Sequence, residues 1–112
     1  VFPTRHHARQ SSYALSLSGQ LFFSGDTRPI PEIIHHELSG SEAIFHDCGT
    51  TPNPSHTGLD DLHREYRDDV RSRFILYHYA DEAAAKTLEA AGYSVARPND
   101  RFALPNGKRQ SL

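Results

Sequence analysis

The chain has 112 residues, of which 37% are hydrophobic and 23% charged, and its formal net charge is −2 with histidine neutral. This composition is typical of one folded globular domain and excludes a disordered chain. The near-neutral charge, without a basic block, excludes a protein that coats nucleic acid by neutralising phosphates. No apolar run reaches the ~18 residues that a membrane-spanning helix needs.

The cysteine content and the start of the chain give two further expectations. A single cysteine, Cys48, excludes an internal disulfide framework and is typical of the reducing cytoplasm, where we expect the protein to act. Charged and histidine residues interrupt any apolar stretch near Val1, so no signal peptide is expected there. Because the sequence has no methionine and begins in a segment typical of a strand, we expect a fragment or a processed chain.

The first part of the chain is predicted to be mostly β. Residues 1–6 are predicted to form a strand, which Pro3 would restrict to a sheet edge or a strand start. Residues 11–17 alternate between small polar and apolar side chains, and after Ser18-Gly19 the run 20–26 follows, which together predict a hairpin with a tight turn.

Beyond residue 27, strands and helices alternate. The predicted elements are a short helix at 31–38 that begins at a proline, a strand at 43–47, helices near 59–70 and 81–91, and strands near 73–78 and 93–97. This alternation predicts an α/β fold in which a β-sheet carries helices on one face. One partial domain would cover 1–104, followed by a polar tail at 105–112. The residues expected to be buried are Leu15, Leu17, Phe22, Ile44, Phe45, Phe74, Leu76, Leu88 and Val95.

Candidate metal ligands stand at the predicted strand ends. Asp26 follows one strand, His78 ends another, and His6 and His7 follow the first. Strand ends deliver side chains precisely, and aspartate and histidine suit zinc, manganese or iron. Each residue also has a plainer interpretation: an aspartate in a turn, a hydrogen-bonded core histidine, or a surface histidine pair.

Four short motifs in order resemble one family. The sequence resembles the metallo-β-lactamase-fold hydrolases, especially ribonuclease Z and its phosphodiesterase relatives. The strings that carry this resemblance are LFFSGDTRPIPE, IFHDC, PSHTGLDDL and FILYHYAD, preceded by TRHHARQSSYALSL. The resemblance implies the C-terminal half of an αββα metallo-β-lactamase sandwich. It also implies a site with two divalent metal ions, with zinc favoured and manganese or iron as alternatives.

The resemblance assigns roles to five residues. Asp26 would bridge the two ions, and His78 and His6, with His7 as the rival of His6, would be further metal ligands. His56 would be a general acid that Asp47 orients. Such a site would hydrolyse a phosphodiester, for example RNA or a cyclic nucleotide, by generating a hydroxide at the metals.

One departure from the family's pattern limits this interpretation. The leading His-x-His-x-Asp-His motif is absent, and His35 and His36 have the wrong spacing for it and are expected to be exposed on a helix. The chain is therefore expected to be inactive alone and to form a homo-oligomer or a complex with a missing N-terminal half. Two alternatives remain: a non-catalytic interaction or assembly module derived from the half-fold, and a small α/β domain with structural histidines.

Overall fold

The computed structural model describes residues 1–6, 12–38 and 40–110. The strands are β1 (Phe2–Pro3), β2 (Tyr13–Leu17), β3 (Leu21–Phe23), β4 (Ala43–Asp47), β5 (Phe74–Tyr77), β6 (Ser94–Val95), β7 (Arg101–Phe102) and β8 (Arg109–Gln110). The helices are α1 (Pro31–Glu37), α2 (Leu59–Glu65), α3 (Asp68–Arg71) and α4 (Glu82–Ala90). The predicted α/β class is thus confirmed at this level.

A six-stranded mixed sheet organises the chain. Its strands lie in chain order from β1 to β6, antiparallel from β1 to β3 and parallel from β3 to β6. Each parallel step needs a crossover, and the helices supply these connections. The described residues form one such sheet with a small β7–β8 hairpin and show no αββα sandwich.

The helices cover one face of this sheet. The covered face carries the alternate residues Phe22, Ile44, Leu76 and Val95, all with no exposed surface. They share one core with apolar side chains of the helices, namely Ile34, Leu62, Val70, Ala85 and Leu88. The alternation of strand residues therefore places every second side chain in the main core.

The opposite face of the sheet is open over β2 and β3. Leu15 pairs with Phe23 and Leu17 with Leu21, so these side chains point to the same side. Leu15 is 43% exposed and Leu17 48%, and Phe45 is only half-buried. The prediction that these three residues are buried was wrong, because alternation separates two faces without showing which face is covered. The other six residues predicted to be buried are buried.

Two further details differ from the predictions. The helix expected at 59–70 is broken, because Tyr66 takes an extended backbone (ψ 144°) and its side chain turns into the core. The β7–β8 hairpin was not expected. It lies near the open face, where Phe102 meets Phe45 edge to face at 5.8 Å between ring centroids. No helix among the described residues is long and apolar enough to cross a membrane.

Gly25 gives a test of the strand–turn geometry. Its φ is +65°, and a Cβ added there would lie 2.5 Å from the carbonyl oxygen of Tyr13. We expect Gly25→Ala to lower the free energy of unfolding by about 2 kcal/mol or more, since backbone strain adds to a clash with backbone. Gly19 is the matched control, because its φ is +74° but a Cβ there meets no atom within 4 Å. Gly19→Ala should cost only about 1 kcal/mol. Equal losses in urea denaturation would contradict this reading.

Candidate metal centre

Three parallel strands bring acidic and histidine side chains to one edge of the sheet. Asp47 is the last residue of β4, His78 directly follows β5, and Asp26 lies three residues beyond β3. Because β3, β4 and β5 run parallel in register, their carboxyl ends meet at the same edge. His56 joins them from the loop after β4.

Asp47 lies at the centre of this group and is fully buried. Its Oδ2 accepts hydrogen bonds from the backbone N–H of Thr27 at 2.9 Å and from Nδ1 of His56 at 2.6 Å. Its Oδ1 is buried and has no hydrogen-bond partner among the described residues. Burial raises the pKa of this carboxyl group, and the bonds from Thr27 and His56 oppose that rise. Only one of the two carboxylate oxygens therefore accepts hydrogen bonds from described residues, and the other is available to a ligand.

The two histidines of the cluster stack on each other beside Asp47. Their ring centroids are 4.5 Å apart with an angle of 12° between the planes. His78 Nδ1 lies 3.8 Å from Asp47 Oδ1, the carboxylate oxygen that His56 and Thr27 do not contact. His78 also has a φ of +67°, a left-handed conformation that non-glycine residues adopt rarely. Strain of this kind at a strand end is typical of a functional position.

The N-terminal segment packs along the turn that carries Asp26. Hydrogen bonds to the Asp26 carbonyl come from Thr4 Oγ1 at 3.2 Å and Ser12 Oγ at 2.6 Å. The His6 ring meets the His56 ring edge to face, with centroids 5.9 Å apart. His6 thus borders the cluster without being part of it, and its rival His7 lies outside the described residues.

Four side chains form a group that suits a divalent metal ion. Asp26, Asp47, His56 and His78 each offer one ligand atom, and these atoms lie within 4.8 Å of one another. Two carboxylate and two imidazole donors suit zinc, manganese or iron. The Oδ1 of Asp47 fits a cation, since it has no partner in the part of the chain that the structure describes and a buried carboxylate oxygen without a partner is costly. The roles of His6, Asp26 and His78 as ligands, and of His56 and Asp47 as catalytic residues, stay predictions.

A cavity of about 340 Å³ opens beside this group. His56 and His78 form part of its wall. The remaining lining residues are Gly49, Thr50, Thr51, Asn53, Tyr79 and Ala80. Hydroxyl and amide groups thus surround the space next to the candidate ligands, which gives a bound molecule polar contacts.

The residues that hold the cluster in place were not predicted from the sequence. Asp47 N–H donates to Ser24 Oγ at 2.9 Å, and Thr57 Oγ1 donates to the carbonyl of Thr27 at 2.7 Å. These contacts join the turns that follow β3 and β4. Ser24 and Thr27 flank the Gly-Asp pair in the motif SGDT, and this was the one signal that could have identified them.

Comparison with known proteins identifies the family. The family model described as "Anti-Pycsar protein Apyc1" matches residues 1–102. The chain belongs to the Anti-Pycsar protein Apyc1 family. It is similar to the Anti-Pycsar protein Apyc1 of Paenibacillus harenae, with 26% identity over 91% of this chain and 43% of the relative. It is also similar to the Saccharibacillus brassicae protein of the same name, with 33% identity over 72% of this chain and 34% of the relative. The chain therefore spans less than half the length of these curated relatives.

This family assignment corrects the one drawn from the motifs. The family model and both relatives name Anti-Pycsar protein Apyc1, so the assignment to a ribonuclease Z-like metallo-β-lactamase hydrolase was wrong. The phosphodiesterase function drawn from that assignment is withdrawn with it. The physical reason is that SGDT, HD, HT and YHY specify side chains at strand ends. Such short strings describe a site and not a family. The same matches favour the alternative, a non-catalytic interaction or assembly module.

His46, next to the site, gives a prediction on stability and pH. The residue is fully buried, with Nδ1 donating to the Asp47 carbonyl at 2.7 Å and Nε2 accepting from the Tyr66 hydroxyl at 2.7 Å. Burial lowers its pKa to about 4 from 6.5. Between these values the unfolded chain binds a proton that the folded chain does not, so stability falls as pH falls.

We expect this proton to remove on the order of 3 kcal/mol of stability between pH 7 and pH 4. His46→Gln should make the dependence of unfolding free energy on pH shallower in that window. His36→Gln, on the exposed surface of α1, is the control and should leave the slope unchanged. Parallel curves for His46→Gln and the unsubstituted chain, from urea unfolding at each pH, would contradict the assignment.

Proposed function

We propose that this chain is a metal-binding interaction module of an Anti-Pycsar protein. Its strand-end cluster would bind one divalent ion, and its open sheet face would bind further protein. In this proposal the whole protein counters Pycsar, as the names of its relatives state for them. The observation that carries the proposal is the buried Oδ1 of Asp47, which has no hydrogen-bond partner among the described residues and lies in a cluster of four ligand-type side chains.

The donor set supports zinc first, with manganese and iron as alternatives. Imidazole nitrogen suits all three ions, whereas calcium and magnesium favour oxygen donors alone. One cluster of four donors supports one ion. The second ion expected from the sequence would need ligands beyond these four, for example His7, which lies outside the described residues.

The open sheet face supports an interaction role. Tyr13, Leu15, Leu17 and Phe23 are all exposed large apolar residues on β2 and β3. A contiguous apolar surface of this kind favours association. More than half of each relative's length lies outside the matched region, which leaves protein of the same family available to cover this face. We propose that a complex with such a segment, or a second copy of the chain, buries it.

Metal binding by Asp47 is tested with a near-isosteric substitution. Asp47→Asn keeps the side-chain shape but removes the charge that attracts a cation. We expect zinc affinity, measured by competition with a chromophoric chelator, to fall by more than the ~10–100-fold typical of losing an outer-shell partner. The matched control is Asp60→Asn, an exposed carboxylate in the first turn of α2.

The control should bind zinc as the unsubstituted chain does, and circular dichroism should show that both variants are folded. Equal zinc affinity for Asp47→Asn and the unsubstituted chain would refute the metal centre. In the whole protein, Asp47→Asn should also remove the ability to counter Pycsar, while Asp60→Asn should retain it.

Association through the open face is tested by adding charge to it. We expect the chain to form dimers or larger species at high micromolar concentration in sedimentation velocity. Leu15→Lys should shift it to monomer, because a lysine on the open face opposes burial. Ala83→Lys, on the exposed surface of α4 in the helix layer, is the control and should not alter association. A monomeric unsubstituted chain would contradict self-association.

A further inference from the structure

Arg28 connects the turn that carries Asp26 with the loop that carries His56. It lies two residues after Asp26, and its Nη1 donates to the carbonyl oxygen of His56 at 3.0 Å. The same guanidinium forms an ion pair with Asp61, with Nη1 at 2.7 Å from Oδ2 and Nη2 at 3.3 Å from Oδ1. One side chain thus contacts a backbone oxygen of a candidate ligand and a carboxylate of α2.

Asp61 is a firm anchor for this arginine because it is nearly fully buried, at 1% exposed. Its Oδ2 also accepts from the backbone N–H of Gly58 at 2.9 Å, which holds the loop at the start of α2. Arg64 forms a second ion pair with the same carboxylate. Burial acts to raise the pKa of Asp61, but the hydrogen bonds from Arg28 and Gly58 outweigh it and keep this pKa lowered. Asp61 is therefore held in its charged form.

Contacts inside the loop from β4 to α2 hold it to the end of β4, where the Gly49 N–H donates to the Thr57 carbonyl at 2.9 Å, but not to the turn that carries Asp26. Within the loop, Asn53 Oδ1 accepts from the backbone N–H of Ser55 and of His56, each at 2.9 Å. These are local turn contacts, and they do not tie the loop to the strand that delivers Asp26. Arg28 makes that tie at the His56 backbone, while Thr57 makes a second one next to it.

We propose that the Arg28–Asp61 ion pair is a positioning device that fixes His56 against Asp47 in the metal cluster. This inference rests on the proposed metal-binding function. Arg28 touches no candidate ligand atom, so it acts through the backbone of His56. The expected consequence is that metal affinity depends on an arginine at position 28, although that residue has the same charge as the ion it would help to hold.

Lysine cannot replace arginine in this role. The guanidinium reaches three acceptors at once in a fixed planar fork, two on Asp61 and one on His56. An ammonium group keeps the charge and the pairing with Asp61, but its compact shape does not span both partners. Arg28→Lys therefore separates the positioning role from the electrostatic one.

The experiment compares Arg28→Lys with Arg64→Lys in the full chain. Arg64 pairs with the same carboxylate but has no contact with His56, so it is the matched control. Zinc affinity by chelator competition should fall about 10–100-fold for Arg28→Lys, the range for outer partners of a ligand, and stay unchanged for Arg64→Lys. Arg28→Gln, whose shorter side chain loses both the charge and the reach to the two partners, should lose at least as much affinity and serves if the lysine variant does not fold.

A metal-free measurement separates this inference from the proposed function. In the metal-free protein, NMR should detect the hydrogen-bonded Nδ1 proton of His56 in the unsubstituted chain and in Arg64→Lys, but not in Arg28→Lys. If the unsubstituted chain binds no zinc, the proposed function fails and this resonance alone decides the positioning role. A resonance retained in Arg28→Lys, or equal losses of affinity in the two lysine variants, would overturn the proposal.

Discussion

The burial of the Asp47 carboxylate is the constraint on which the site depends. A carboxylate removed from water at the end of a central strand is unfavourable unless its oxygens are bonded. One oxygen is satisfied by Thr27 and His56, while the other lacks a partner among the described residues. The fold tolerates this because the backbone around Asp47 is itself held, by Ser24 on one side and by the strand pairing with β5 on the other. A cation at Oδ1 would give the second carboxylate oxygen a partner and offset the buried negative charge.

The parallel part of the sheet explains why this carboxylate has histidines near it. Parallel strands in register end at one edge, so a polar residue at the end of each strand meets its neighbours without any special loop. The strained backbone of His78 turns that side chain towards Asp47 at the point where β5 stops. His56 is different, because it lies in the loop after β4 and not at a strand end. Two contacts join this loop to the turn that carries Asp26: Thr57 donates to the carbonyl of Thr27, and Arg28 donates to the carbonyl of His56. The turn that contributes Asp26 therefore also supports His56.

Periodicity predicted the elements well but could not predict which sheet face is covered. The helix over 81–91 and the strand over 43–47 follow from capping by Asp81 and from an apolar run, which are local signals. The exposure of Leu15 and Leu17 depends on what packs against them, and that is not encoded within the strand. The break at Tyr66 was likewise invisible, because its cause is a distant partner: the Tyr66 hydroxyl accepts from the Ile30 backbone N–H at 2.7 Å.

The same distinction explains why the sequence pointed to residues that the fold brings together and yet led to the wrong family. Asp26, Asp47, His56 and His78 are recognisable because strand ends and metal-type side chains leave a short local pattern. A family is distinguished by what surrounds such a site, including supports such as Arg28 and Asp61, which lie 33 positions apart and leave no pattern of their own. Two proteins can therefore share the local strings and differ in everything that those strings do not specify. It follows that the residues separating this family from others with similar motifs are to be sought in these supporting contacts and on the open sheet face.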